Sequence, residues 1–245
     1  IVTAKYWQHV VDGGRHLTVA ETGWAKALWG KIYGQWIAGS AVFTYDMTVF
    51  IPGKLLEKMA EYKVTTFCAP PTVYRYILQH GIAKYDLSSL QYCTTAGEAL
   101  NLDIYNKFYE QTGIRMQEGY GQTELTLTTG NFGFSEPHPG SMGKPSPGYR
   151  MEIVNAEGKP CADDEVGELI IKIDQGKPFG MFGGYYNDPE RTEKVFEGGV
   201  YHTGDTATRD KDGFFWFVGR TDDLIKSSGY RISPFEVAEV LHKHP

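Results

Sequence analysis

The densest run of chemically capable side chains in the sequence is Glu118-Gly119-Tyr120-Gly121-Gln122-Thr123-Glu124. Its glycines let the backbone approach a ligand closely, Thr123 offers a hydroxyl, and Glu124 offers the hard oxygen that a Mg²⁺ ion takes. A tight, solvated polar turn would read the same way. Thr95-Ala96-Gly97-Glu98-Ala99 repeats the theme, with a helix-start acid as the plainer reading. In His202-Thr203-Gly204-Asp205 a carboxylate on a short turn could accept from both hydroxyls of a diol, or simply close an Asp turn. Gly219-Arg220-Thr221-Asp222-Asp223, followed by Ser228-Gly229-Tyr230-Arg231, supplies forked guanidinium donors and two adjacent acids, in a composition that a linker would share. No GxxxxGK[ST] loop, HExxH helix or GxSxG elbow is present. Function must then come from polar residues at strand ends, where α/β proteins place ligands.

The elements that would position these residues follow from periodicity. Strand-like stretches at 41–45, 64–68, 90–95 and 115–119 alternate with helix-like stretches at 52–62, 70–80 and 101–112. Each gap between strand starts has room for one crossover helix, so a parallel sheet with helices packed on it is the economical reading. The stretch 23–39, GWAKALWGKIYGQWIAG, is apolar on nearly all sides and predicts a buried helix. Past Gly133 the texture changes to a loop with four prolines and four glycines. Beyond it lie short strand candidates at 149–155, 168–173, 200–202 and 214–218. Asp210-Lys211-Asp212-Gly213 reads as a hairpin turn between 207–209 and 214–218. Ser233-Pro234-Phe235-Glu236 reads as a capped helix start. The expected class is α/β. A parallel sheet with packed helices over 1–139 is followed by a small β-barrel-like subdomain over 140–219. Residues 220–245 are read as a hinge and the start of a further domain.

Composition sets the outer bounds. With 24 Lys+Arg against 30 Asp+Glu, the formal charge is −6, which argues against a nucleic-acid or anionic-membrane partner. No run approaches the roughly 18 apolar residues that span a bilayer. Cys68, Cys93 and Cys161 match no metal or redox spacing and read as buried, idle thiols of a reducing compartment. The chain begins at Ile1 without a Met and both ends look cut, so a missing leader carries little weight; the compartment expected is the cytoplasm.

Taken together and in order, six runs resemble one family. They are GEAL at 97–100, YGQTE at 120–124, GELIIK at 167–172, GYYNDPERT at 184–192, YHTGD at 201–205 and GRTDDLIKSSGYRISPFEVAEV from 219. The chain resembles the adenylate-forming acyl-CoA synthetases, most closely their acetyl- and medium-chain branch, over essentially its whole length. The resemblance implies an acid–thiol ligase. Such an enzyme uses ATP and Mg²⁺ to convert a carboxylic acid to an acyl-AMP, and then passes the acyl group to coenzyme A.

Carried over by position, Gly97, Glu98 and Ala99 would line the adenine side. Glu118 would meet the adenine amino group and Tyr120 would stack on the base, with Gly119 and Gln122 alongside. Thr123 would contact the α-phosphate, Glu124 the Mg²⁺, and Asp205 the ribose hydroxyls with Arg220 beside it. Thr123, Glu124 and Arg220 are the expected catalytic set. Asp222 matches the hinge, Gly229 the point where the pantetheine arm enters, and Arg231 a phosphate contact.

In acetate-specific relatives a Trp precedes the QTE triplet and floors the acyl pocket. Gly121 stands there in this chain, which implies an acid larger than acetate, unless the glycine merely serves the turn. The family's phosphate loop would lie before Ile1 and its catalytic Lys after Pro245, so the resemblance implies weak nucleotide binding without turnover by this chain alone. The alternatives are an adenylation domain that loads a carrier protein and a non-catalytic nucleotide-binding remnant. The sequence says nothing about protein partners.

Overall fold

The computed structural model describes residues 1–24, 26–221, 225–227, 230–232, 234, 237, 240 and 241, with only the backbone described at 225–227 and 230–232. The chain divides into two compact units, 1–143 and 144–245.

The first unit is built on strands β1 (Arg15–Thr18), β2 (Ala41–Val42), β3 (Thr66–Ala69), β4 (Tyr92–Thr95), β5 (Met116–Gly121) and β6 (Leu127–Gly130). They lie in the order β2-β1-β3-β4-β5-β6. All neighbours through β5 are parallel, and β6 returns antiparallel to β5. Helices α3 (Pro52–Glu61), α4 (Pro71–His80) and α5 (Leu102–Thr112) fill the crossovers. The first two begin on a proline whose missing N–H costs nothing in the first turn. The third is capped by the Asn101 side chain, which accepts from Asp103 N at 2.7 Å. Their apolar faces bury Leu55, Leu56, Met59, Tyr74, Ile77 and Phe108 against Leu17, Phe67, Cys93 and Met116 of the sheet. That burial is the main stabilising term of the unit.

Four expectations change here. The parallel strands do not begin at Ala41: β1 precedes it and sits between β2 and β3. Three of its four side chains are polar and hide it from a hydrophobic pattern: Arg15 is exposed, while His16 and Thr18 point inward. Both are buried and satisfied, since His16 Nδ1 and Nε2 lie 2.7 Å from the hydroxyls of Thr66 and Thr18. The strand expected over 41–45 shortens to two residues. The sheet is mixed rather than wholly parallel, because β6 returns along β5.

The single buried helix expected over 23–39 is two short ones, α1 (Lys26–Trp29) and α2 (Tyr33–Ile37). Several of its large apolar side chains face outward, Trp24 at 55% exposure and Trp36 at 64%, while Trp29 packs half-buried against the cluster around Trp7. What α1 and α2 bury is small or polar: Lys26 and Ala27 in the first, Gly34 and Gln35 in the second. The Gly30 carbonyl accepts from Thr18 Oγ1, Gln8 Nε2 and Gln35 Nε2 at 2.8–3.1 Å, and this network holds the segment to the sheet.

The second unit opens with β7 (Lys144–Pro145) and contains the antiparallel sheet expected of the small subdomain. Its strands β8 (Met151–Val154), β9 (Gly167–Lys172), β10 (Val200–Arg209) and β11 (Phe215–Arg220) lie in the order β11-β10-β9-β8. The two short segments expected within 200–209 are one ten-residue strand, irregular where Thr203–Asp205 leave the β9 ladder. The hairpin at 210–213 forms as expected. Asp210 Oδ1 accepts from Asp212 N and Phe214 N, and Oδ2 from Trp216 Nε1. A helix α6 (Pro189–Val195) starts on Asp188, whose side chain accepts from Arg191 N, so the GYYNDPERT run forms a capped helix. Strands β12 (Ile225–Ser227) and β13 (Tyr230–Ile232) form a separate antiparallel pair. The capped helix start read at Ser233 lies outside the described residues. The three cysteines are free and buried. Among the described residues no helix is long and apolar enough to cross a membrane.

Candidate functional site

In the first unit the candidate residues gather where β4 and β5 end. Thr95 and Glu118 are in register across the two strands. The chain leaves β4 through buried Ala96 and turns at Gly97 with φ +105°. Exposed Glu98 accepts from Thr72 Oγ1 at 2.6 Å, and Ala99 is half-buried. The next residue ties this turn to β5, because Leu100 N donates to Glu118 Oε1 at 3.2 Å. Glu118 is 4% exposed and its Oε2 has no hydrogen-bond partner among the described residues. Burial pushes its acid up to about 8, against the opposing pull of the Leu100 and Gly140 N–H groups. Its carbonyl accepts from Trp7 Nε1 and Asn131 N. Gly119 beside it leaves room for the Trp7 ring, which would lie 2.8 Å from a Cβ there.

Tyr120 is half-buried, and its carbonyl accepts from Thr128 Oγ1 at 3.1 Å. The β5–β6 ladder is irregular between Tyr120 and Gly121. A Cβ on Gly121 would stand 2.2 Å from the Thr126 carbonyl oxygen. The backbone therefore gives Gly121 its own reason to lack a side chain, whichever ligand is taken. The turn continues with Leu125 N donating to the Gln122 carbonyl, leaving Thr123 exposed and Glu124 half-buried. Among the described residues no three His, Cys, Asp or Glu side chains are grouped to cage an ion. One carboxylate beside a hydroxyl fits Mg²⁺, which takes one or two carboxylates and completes its shell with phosphate oxygens and water.

In the second unit Asp205 is 4% exposed and paired in register with Arg220, whose Nη1 lies 3.2 Å from Asp205 Oδ1. Asp205 N donates to Thr203 Oγ1, and that hydroxyl donates to the Leu169 carbonyl at 2.6 Å. Gly204, at φ +69°, brings the backbone under the guanidinium: a Cβ there would meet Arg220 Nη2 at 3.2 Å. Its carbonyl accepts from Thr221 N. Asp222 and Gly229 lie outside the described residues. Arg231 is described by its backbone in β13, opposite Lys226.

Against this geometry, the family model of the AMP-binding enzyme matches residues 2–186, three quarters of the chain. The chain belongs to the AMP-binding enzyme family. It is 41% identical over 244 residues to acyl-coenzyme A synthetase ACSM3, mitochondrial, of Homo sapiens, covering 100% of this chain and 42% of that relative. The chain thus spans about two fifths of the curated relatives it matches. Among solved structures it superposes on the anthranilate CoA ligase AuaEII in complex with anthranoyl-AMP, with a TM-score of 0.90 and 29% identity, over 100% of this chain and 47% of that one. An acyl-CoA synthetase of Brucella canis gives a TM-score of 0.81 and 32% identity, over 100% and 45%. The family is one of adenylate-forming ligases, and the α/β architecture is theirs.

Sequence reasoning passed over Lys26 and Trp24, which lie against the turn that follows β4. Two lysines, Lys26 and Lys31, interrupting a largely apolar run were the local signal.

Proposed function

We propose that this AMP-binding chain carries the adenosine- and acid-handling part of an AMP-forming acyl-CoA synthetase acting on a carboxylic acid larger than acetate. The observation that carries the reading is Glu118, a buried carboxyl at a central strand end with one oxygen unpartnered. An adenine amino group is the kind of donor such an oxygen lacks. In this reading Gly97, Glu98 and Ala99 border the base, Tyr120 stacks on it, and Gly119 and Gln122 shape the strand end. Asp205 accepts from the ribose hydroxyls while Arg220 holds its carboxylate in place. Thr123 donates to the α-phosphate, and Glu124 is the protein's oxygen for Mg²⁺, which when bound neutralises phosphate charge. Asp222 serves as hinge, Gly229 borders the coenzyme A path, and Arg231 contacts phosphate, all within a further domain starting near residue 220. A larger acid is favoured by the aryl acid named for the anthranilate ligase at 29% identity.

The test is calorimetric titration of AMP into this chain and into Asp205→Ala. Binding by the first that falls about a hundredfold in the second supports the reading, since two hydrogen bonds to a charged group are lost. Equal binding by both, or none by a folded chain, refutes it.

A further inference from the structure

The strand that carries Asp205 leaves its ladder to present it. His202 pairs in register with Ile170 and Thr206 with Glu168, so four residue steps of β10 run against two of β9. Thr203, Gly204 and Asp205 therefore bulge away from β9. A bulge re-aims a side chain, but its extra residues lose ladder bonds and must be held by other partners. Some of that hold is internal. Thr203 Oγ1 donates to the Leu169 carbonyl at 2.6 Å and accepts from Asp205 N at 3.1 Å, and Gly204 turns at φ +69°.

A second tie spans the base of the bulge. His202 Nδ1 lies 3.1 Å from each carboxylate oxygen of Glu168. A carboxylate only accepts, so Nδ1 carries the hydrogen of this contact. His202 is the last residue before the bulge, and Glu168 is the ladder partner of Thr206, the first residue after it. The pair thus joins the two ends of the bulge diagonally across β9 and β10. On the other flank Thr206 Oγ1 donates to the Gly219 carbonyl at 3.0 Å, which fixes the far end to β11. Both His202 and Glu168 are half-buried, and a pair open to water contributes little to unfolding free energy. Its effect is on geometry.

We propose that His202, held by Glu168, is the positioning residue for Asp205: it braces the bulge that presents this carboxylate and so sets how sharply the site distinguishes a ribose diol. The assignment rests on the proposed function, in which Asp205 accepts from the ribose hydroxyls, and it deepens that reading. Two hydrogen bonds to one carboxylate require both oxygens to be aimed at once, and a carboxylate on a loose bulge must be ordered at each binding event. A brace across the base removes that cost beforehand. No residue of the first unit enters this geometry.

The experiment measures Kd for AMP and for 2′,3′-dideoxy-AMP, which lacks both hydroxyls. The proteins are the unaltered chain, His202→Leu, His202→Arg, Glu168→Ala and the double variant His202→Leu/Glu168→Ala, with circular dichroism confirming each fold. The unaltered chain should bind AMP about a hundredfold more tightly than the dideoxy nucleotide. His202→Leu and Glu168→Ala should each cut that ratio about tenfold while dideoxy-AMP stays within about twofold. The double variant should lose no more than either single one, because a pair acting as a unit is broken only once. His202→Arg, which keeps a donor facing Glu168, should restore the ratio to within about threefold. A ratio unchanged in His202→Leu overturns the assignment. So does loss of both nucleotides in parallel, or losses that multiply in the double variant. Hydrogen exchange at the Asp205 amide separates the brace from the proposed function, since it should quicken about tenfold in His202→Leu as the bulge opens more often. Both nucleotides bound equally by the unaltered chain, with exchange quickened in the variant, refutes the ribose reading and keeps His202 as the brace. A ratio near the expected one that ignores His202→Leu, with exchange unchanged, sinks only the brace.

Discussion

Glu118 in the first unit and Asp205 in the second are both carboxyls buried to 4% exposure at the edge of a candidate site, yet their surroundings differ in kind. Glu118 faces backbone N–H groups and keeps one oxygen without a partner, so burial pushes it toward the neutral acid. Asp205 faces the Arg220 guanidinium across a strand pair. A carboxyl held only by dipoles takes its charge from whatever enters the site, whereas one facing a cation has its counter-charge built in. The same residue chemistry is tuned in one unit and poised in the other, and the distinction lies in tertiary neighbours.

The largest expected effect tests the tuned side. Glu118 has its folded pKa raised from 4.5 to about 8, so the folded state binds more protons than the unfolded one across that interval. Its contribution is fully favourable below pH 4.5 and is lost as pH rises, by about 1.4 kcal/mol per pH unit. Glu118→Gln should abolish that slope in urea unfolding followed from pH 6.5 to 8, above the interval in which His16 titrates on unfolding, and be more stable than the parent at pH 8. An unchanged slope would erase the contrast with Asp205.

His16 supplies the opposite sign within the same unit. Its pKa is lowered from 6.5 to about 3, so its contribution is complete above pH 6.5 and lost as pH falls toward 3, with a similar slope. His16→Asn should flatten the acid limb of the stability profile while leaving the limb above pH 7 to Glu118.

On the poised side, Asp205→Asn keeps the side chain's shape and removes its charge. AMP affinity by calorimetry should drop about tenfold, less than for truncation to Ala, because one acceptor oxygen survives. A drop in unfolding stability without any loss of AMP would reassign Asp205 to the sheet.

The smallest effects separate glycines by environment. Gly121→Ala drives a Cβ toward the Thr126 carbonyl and should destabilise by about 1–3 kcal/mol. Gly183→Ala, with nothing within 4 Å of its Cβ, should stay within about 0.5 kcal/mol in the same unfolding assay.

Much of the architecture was legible because it is written in local terms. Pro52, Pro71 and Asn101 start helices by chemistry confined to one turn, and Asp210–Gly213 closes a hairpin with its own side chain. The run from Glu118 to Glu124 could be set at a strand end for the same reason, since a strand, a glycine pair and polar residues are contiguous. What escaped depended on distant partners. β1 is recognisable only once His16 has Thr66, fifty residues away, to satisfy it. The stretch 23–39 reads as buried on all sides until Gln8 and Thr18 claim the Gly30 carbonyl, which leaves Trp24 and Trp36 exposed.

The sequence by itself therefore determined the α/β alternation, the antiparallel region that follows it, and the order of motifs that marks the family, because each is short-range in the chain. Only the tertiary structure decided that burial pushes the Glu118 pKa up with one of its oxygens unpartnered among the described residues, that Asp205 faces Arg220, and that Lys26 lies buried against the Ala96 carbonyl. Charge state and hydrogen-bond satisfaction are set by burial and by partners remote in sequence, which no local pattern contains.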